Sequence, residues 1–266
     1  MTQSRLGTAL ITGASSGIGA VYAERLARRG HDLILVARNR ERLNALAKRL
    51  SDETGRNIEV LAADLSDRAD LARVEERLKT DASISLLVNN AGIGATQPLL
   101  ESNVDTLEDL LTLNVNVLMR LTYAAVPGFV TRGGGTLINI ASIVSIAPEL
   151  LNGVYGGSKA FVLAFSQSLR HELADKNVRV QAVLPGATAT EFWGAAGTPL
   201  EHLPEAIVMR AEDMVDAALS GLDQGEFVTI PALPDIADLD AYEAARQKLM
   251  PNLSLSKAAA RYRTED

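Results

Sequence analysis

The stretch T-A-L-I-T-G-A-S-S-G-I-G, residues 8–19, decides the fold. It opens on a five-residue run of strand length, T-A-L-I-T, and places glycines at 13, 17 and 19. A helical pattern over 18–29 follows at once and ends at Gly30, a C-cap signal. Gly13 permits the tight turn, Gly17 lets the backbone approach an anion, and Gly19 lets helix and strand pack closely. At Ser16, Gly17 and Ile18 the helix start offers free N–H groups and the positive end of a dipole. The hydroxyls of Ser15 and Ser16 add donors. A strand and a helix on either side are what separates a pyrophosphate site from a ligand-free glycine turn.

Outward from this turn, short apolar runs alternate with helical patterns. Runs at 32–37, 58–63, 85–89, 136–141, 178–184 and 226–230 are apolar nearly throughout, as parallel strands covered on both faces must be. Helical patterns fall at 40–53, 67–79, 104–130, 155–174 and 211–222. The alternation predicts an α/β fold of Rossmann type: a doubly wound, seven-stranded parallel sheet with helices on both faces. A single domain over 1–230 is expected, including a Gly- and Pro-punctuated loop at 191–210. Past Pro231 the pattern changes to irregular chain and a charged helical stretch at 239–249. That extension, 231–266, is expected to dock on the same domain or on a neighbouring subunit, with a lid over the site as the competing reading.

The composition narrows the chemistry. The chain has 266 residues, a net charge of -7 and no cysteine. The acidic balance argues against a nucleic-acid partner. Disulfides, thiolate metal sites and cysteine nucleophiles are excluded. The three histidines, His31, His171 and His202, are scattered, so no metal site is expected. No apolar stretch reaches membrane-spanning length and no signal-peptide pattern precedes Gly13, so a cytoplasmic protein is expected.

The second strand ends D-L-I-L-V-A-R-N-R-E-R. Where an NAD site wants a carboxylate for the ribose 2′-hydroxyl, this chain has Ala37 and then Arg38, with Arg40 and Arg42 following. Guanidinium binds phosphate bidentately, so the cluster favours NADP(H) over NAD(H). The missing acid also weakens a methyltransferase reading.

Further motifs follow at the predicted strand ends: Asp64 and Leu65 after the third, N-N-A-G (89–92) after the fourth, I-A-S-I (140–143) after the fifth and P-G-A-T-A-T (185–190) after the sixth. Asn114 lies in the long helix, and V-Y-G-G-S-K sets Tyr155 four residues before Lys159. One chance Y-x-x-x-K arises in a chain of this composition with odds of about one in ten, so the pair carries weight only beside the other motifs. Together, in this order, they resemble the compact, single-domain form of the short-chain dehydrogenase/reductase family, over about 8–230.

The resemblance implies a catalytic set of Asn114, Ser142, Tyr155 and Lys159. Tyr155 would exchange a proton with a carbonyl or alcohol oxygen, its pKa lowered by the Lys159 cation. Ser142 would hold the same oxygen, and Asn114 a water serving the lysine. It also implies Asp64 and Leu65 against the adenine and Asn90, Ala91 and Gly92 along the cofactor. Pro185, Gly186, the Thr188 backbone and the Thr190 hydroxyl would surround the carboxamide, and Lys159 would grip the nicotinamide ribose beside Tyr155.

Gly156 and Gly157 interrupt the Tyr-to-Lys turn; their missing side chains let a loop or a substrate approach. Substrate choice is assigned to 93–97, 143–152 and 191–204, which are largely apolar and hold Phe192 and the only tryptophan, Trp193. The expected substrate is a neutral, moderately apolar ketone, aldehyde or secondary alcohol. A homodimer or homotetramer through helices 104–130 and 155–174 is implied. Two other classes compete. A nicotinamide-sensing binding protein would need none of Ser142, Tyr155 and Lys159. An epimerase of the extended relatives would need a further substrate domain.

Overall fold

The computed structural model describes residues 6–263. Two compact units divide at Pro231 and Ala232. The first holds β1 (Thr8–Thr12), α1 (Gly17–Arg28), β2 (Asp32–Ala37), α2 (Arg40–Thr54), β3 (Ile58–Ala62), α3 (Arg68–Thr80), β4 (Ile84–Asn89), α4 (Val104–Leu111), α5 (Leu118–Thr131), β5 (Gly135–Ile140), α6 (Gly153–Glu172), β6 (Val178–Val183), β7 (Thr188–Ala189), α7 (Phe192–Ala196), β8 (Met209–Arg210), α8 (Ala211–Gln224) and β9 (Val228–Thr229). The second holds α9 (Ile236–Leu249), capped by Asp235 and burying no residue.

Seven strands form one sheet in the order β3-β2-β1-β4-β5-β6-β9. Every neighbouring pair is parallel. Alternation along each strand sends side chains to two cores. Ala9, Ile11, Leu33 and Leu35 pack with α1, α2 and α8 on one face, whereas Leu10, Ile34 and Val36 pack with α3 and α5 on the other. That explains why the central strands carry no polar face: most of their residues are buried by a helix layer on their own side, at about 1.5–3 kcal/mol for each large apolar side chain.

The chain order reverses between β1 and β4, which opens a crevice at the carboxyl edge where such sheets bind ligands. The turns after β1, β4, β5 and β6 all open at that edge.

Three elements differ from the sequence expectation. The helix expected over 104–130 is α4, a π-helical turn at Thr112–Val117, and α5. The last strand pairs over two residues only, Ala182 with Val228 and Val183 with Thr229. The segment 191–210 contains α7, and the small parallel pair β7–β8 closes its base.

Candidate active site

The glycine turn has the geometry its spacing predicts. Gly13 and Gly17 take φ of +67° and +52°, a region that L side chains avoid. A side chain at Gly19 would run into the Gly13 carbonyl and the Asn90 amide. Ser16 stands at the N-cap of α1 without a side-chain capping bond, and the first turn carries no acidic residue, so the positive helix end faces the crevice uncompensated by the chain. Gly17 is held against Thr190, whose Cγ2 would lie 3.0 Å from a Cβ there. The turn after β6 therefore flanks the glycine turn.

Thr12, which the sequence reading did not single out, ties the turn to the N-N-A-G segment. Its hydroxyl accepts from the N–H groups of Asn90 and Ala91, each at 3.0 Å, and donates to the Val88 carbonyl at 3.2 Å. The Asn90 amide returns to the Thr12 carbonyl at 2.9 Å.

At the end of β2, Arg38 is exposed and makes no hydrogen bond or ion pair among the described residues. Arg42 differs: it pairs with Glu191 at 2.7 Å. That hydrogen bond holds Arg42 above and Glu191 below their ordinary pKa values. Asp64 accepts from Ser66 N–H at 3.0 Å within its own turn. Leu65 turns into the core beneath, so its side chain is a packing group.

The π-helical turn accounts for the position of Asn114. One residue too many in the turn pushes its side chain out of the helix register. The amide then binds both backbone groups of Ile93, donating to the carbonyl and accepting from the N–H at 2.9 Å each. It also donates to Ser158 Oγ at 3.2 Å, and Ser158 donates to the Tyr155 carbonyl at 2.7 Å. Gly92 faces this group: a Cβ there would lie 3.0 Å from Asn114 Oδ1 and 3.6 Å from Lys159 Nζ.

Asn152, the last residue of the segment assigned to substrate choice, caps α6 by accepting from Val154 N–H and Tyr155 N–H. Its amide donates to the Gln97 carbonyl at 2.6 Å, so one residue fixes both the start of the catalytic helix and the loop facing it. Pro148 approaches Gly156 to 3.0 Å from where a Cβ would sit, while Gly157 faces open space. The loop-approach reading thus holds for Gly156 alone.

Ser142, Tyr155 and Lys159 are all buried. Ser142 Oγ donates to the Pro185 carbonyl at 3.4 Å, which joins the turn after β5 to the turn after β6. There Thr188 Oγ1 donates to the Gly186 carbonyl at 3.2 Å and Thr190 Oγ1 to the Thr188 carbonyl at 3.4 Å. Lys159 Nζ donates to the Ile140 carbonyl at 3.0 Å and lies 5.9 Å from the centre of the Tyr155 ring.

The electrostatics depart from expectation. Burial pushes Tyr155 up to about 12, offset in part by its hydrogen bond with Ser142, and pushes Lys159 down to about 8. The expected lowering of the tyrosine by the lysine does not emerge: the lowering influence on Tyr155 is its hydrogen bond with Ser142, and burial outweighs it. A neutral phenol beside a buried amine is a proton donor at neutral pH.

Among the described residues no group of three or more acidic or histidine side chains is arranged to hold a metal, and no helix is long and apolar enough to cross a membrane.

A family model described as short chain dehydrogenase matches residues 7–200. A short-chain dehydrogenase from Sphingobium yanoikuyae, solved in complex with NADPH, is 53% identical with a TM-score of 0.94, over 97% of this chain and 100% of that one. A bulky-bulky ketone specific alcohol dehydrogenase from Comamonas testosteroni is 47% identical with a TM-score of 0.89, over 97% and 99% of the two chains. The 17-beta-hydroxysteroid dehydrogenase type 3 of Danio rerio is 32% identical across 82% of this chain and 70% of that protein. The chain belongs to the short-chain dehydrogenase family and is an oxidoreductase of that family.

Proposed function

We propose that the protein transfers hydride between NADP(H) and a neutral, moderately apolar ketone, aldehyde or secondary alcohol, with Tyr155 as the general acid and base. The observation that carries the reading is the convergence of Ser142, Tyr155, Lys159, Asn114 and Gly92 in one buried corner at the carboxyl edge of the sheet.

The residues fit a dinucleotide. The uncapped start of α1 with Gly13, Gly17 and Gly19 would receive the pyrophosphate. Unpaired Arg38 would take the 2′-phosphate, which supports NADP(H) over NAD(H), as does the NADPH complex of the Sphingobium yanoikuyae relative. Asp64 would lie on the adenine side. Asn90, Ala91 and Gly92 would line the cofactor, Lys159 would hold the ribose, and Pro185, Gly186, Thr188 and Thr190 the carboxamide. When bound, the nicotinamide supplies or accepts the hydride.

The chain's own part is proton transfer and orientation. Ser142 and Tyr155 donate to the substrate oxygen, and Tyr155 yields its proton as that oxygen gains negative charge. With its pKa pushed up to about 12, the phenol keeps its proton and is neutral at neutral pH, which suits carbonyl reduction; oxidation needs the phenolate and rises with pH. Around Tyr155 lie Val144, Leu110, Ile93, Val154, Leu151 and Phe192, an apolar wall that supports an apolar substrate. The Comamonas testosteroni relative's bulky ketones belong to the same class.

A homodimer or homotetramer through the helical stretches 104–130 and 155–174 belongs to the proposal. Tyr123, 68% exposed, stacks on Phe165, which stacks on Phe161, leaving an aromatic strip outward. NADPH and NADH, each offered with a panel of ketones and aldehydes while nicotinamide absorbance is followed, test the reading. Turnover confined to charged keto acids would sink the substrate class.

A further inference from the structure

The space in front of Tyr155 is filled by a side chain of the protein itself. The Phe192 ring lies 5.9 Å from the Tyr155 ring, tilted by 50°. The tip of Phe192 points at Gly94 so closely that a Cβ there would overlap its Cζ and Cε carbons. The backbone at Gly94 is not in the left-handed region, so nothing in its conformation calls for glycine. The residue that calls for it is Phe192.

The segment that carries the ring is short and anchored at its ends. Trp193 Nε1 donates to the Thr188 carbonyl at 3.0 Å, and Thr96 binds the Ala196 carbonyl through its N–H at 3.1 Å and its hydroxyl at 2.9 Å. Phe192 directly precedes the Trp193 anchor and is half-buried, with its ring edge-to-face on Trp193 at 5.7 Å. Side-chain rotation therefore empties the space without breaking either anchor.

We propose that Phe192, seated on Gly94, sets the size of the substrate: a second bulky group on the carbonyl carbon must take the place of the ring. The assignment rests on the oxidoreductase reading given above and adds to it which residue selects among ketones. The substrate oxygen is held by Ser142 and Tyr155, and the smaller of the two groups on the carbonyl carbon points toward Gly94. A ketone with two bulky groups must displace the ring, whereas a methyl ketone fits beside it.

The test uses Phe192→Ala, Gly94→Ala and the double variant, assayed with NADPH on a methyl ketone and on a ketone carrying two ring substituents. In Phe192→Ala the ratio of kcat/KM for the bulky ketone over the methyl ketone rises about tenfold or more, the scale of pocket discrimination by apolar groups. Trp193 emission shifts as its edge partner is lost. Gly94→Ala lowers Tm when Phe192 is present and leaves it unchanged when Phe192 is Ala, a non-additivity that reads the seat independently of turnover. A size ratio within twofold of the parent, with turnover retained, overturns the assignment, as does an equal Tm effect of Gly94→Ala in both backgrounds. A parent chain that reduces no ketone removes the functional reading and the size assignment with it.

Discussion

Lys159→Met gives the sharpest energetic test of the buried pair. Lys159 is 7% exposed and donates to the Ile140 carbonyl at 3.0 Å. Its pKa falls from 10.5 to about 8 through burial. At about 1.4 kcal/mol per pH unit, the charged amine costs about 3 kcal/mol more in the fold than in water. Methionine removes that cost and orphans the Ile140 carbonyl, a loss of about 1–3 kcal/mol. The variant is therefore unchanged to about 2 kcal/mol more stable at pH 7, which for a chain of this size raises Tm by at most about 8 °C. The pH dependence carries the sign. Between pH 8 and 10.5 the unfolded wild-type chain holds more protons than the folded one, so wild-type stability rises across that window. The variant's advantage is largest below pH 8 and shrinks toward 10.5. Thermal unfolding of both proteins across this range, with turnover measured alongside, checks it. A variant several degrees less stable at pH 7, with a gap that does not change with pH, refutes the reasoning.

Arg38→Ala raises KM for NADPH roughly 10- to 100-fold, the scale of losing a charge-assisted contact, and leaves NADH unaffected; equal losses for both cofactors would contradict the phosphate assignment. Thr12→Val leaves the Asn90 and Ala91 N–H groups without their acceptor, costs about 1–3 kcal/mol in thermal unfolding and weakens NADPH binding by titration. Tyr123→Lys sets a charge in the exposed aromatic strip and shifts the protein toward monomer in light scattering; an unchanged mass moves the interface elsewhere.

Much of the fold was legible because its signals are local. Gly13, Gly17 and Gly19 lie within one turn, and strands covered on both faces are apolar at most positions. The shortfalls have physical causes. The π-helical turn at 112–117 adds a residue to a turn, which a 3.6-residue pattern does not display, although Asn114 itself was found by its motif. α7 is a five-residue helix of small and aromatic residues, too short for any periodicity. Thr12 acts through backbone groups 76 to 79 positions away, so no local pattern marks it, whereas Asn152 is a local N-cap whose second bond reaches Gln97, 55 positions away. The Tyr155–Lys159 spacing shows that the two are neighbours and says nothing of how dry the corner is. That is why the tyrosine was expected to fall and burial instead raises it.

The central claim is that Tyr155 moves the proton. Its most direct test is Tyr155→Phe, with NADPH affinity measured by titration and ketone reduction by nicotinamide absorbance on the same preparation. The ring is kept, so folding and NADPH binding stay at parental level while the reduction rate falls at least 100-fold, the scale of a lost general acid. Reduction at a comparable rate without the hydroxyl would contradict the account.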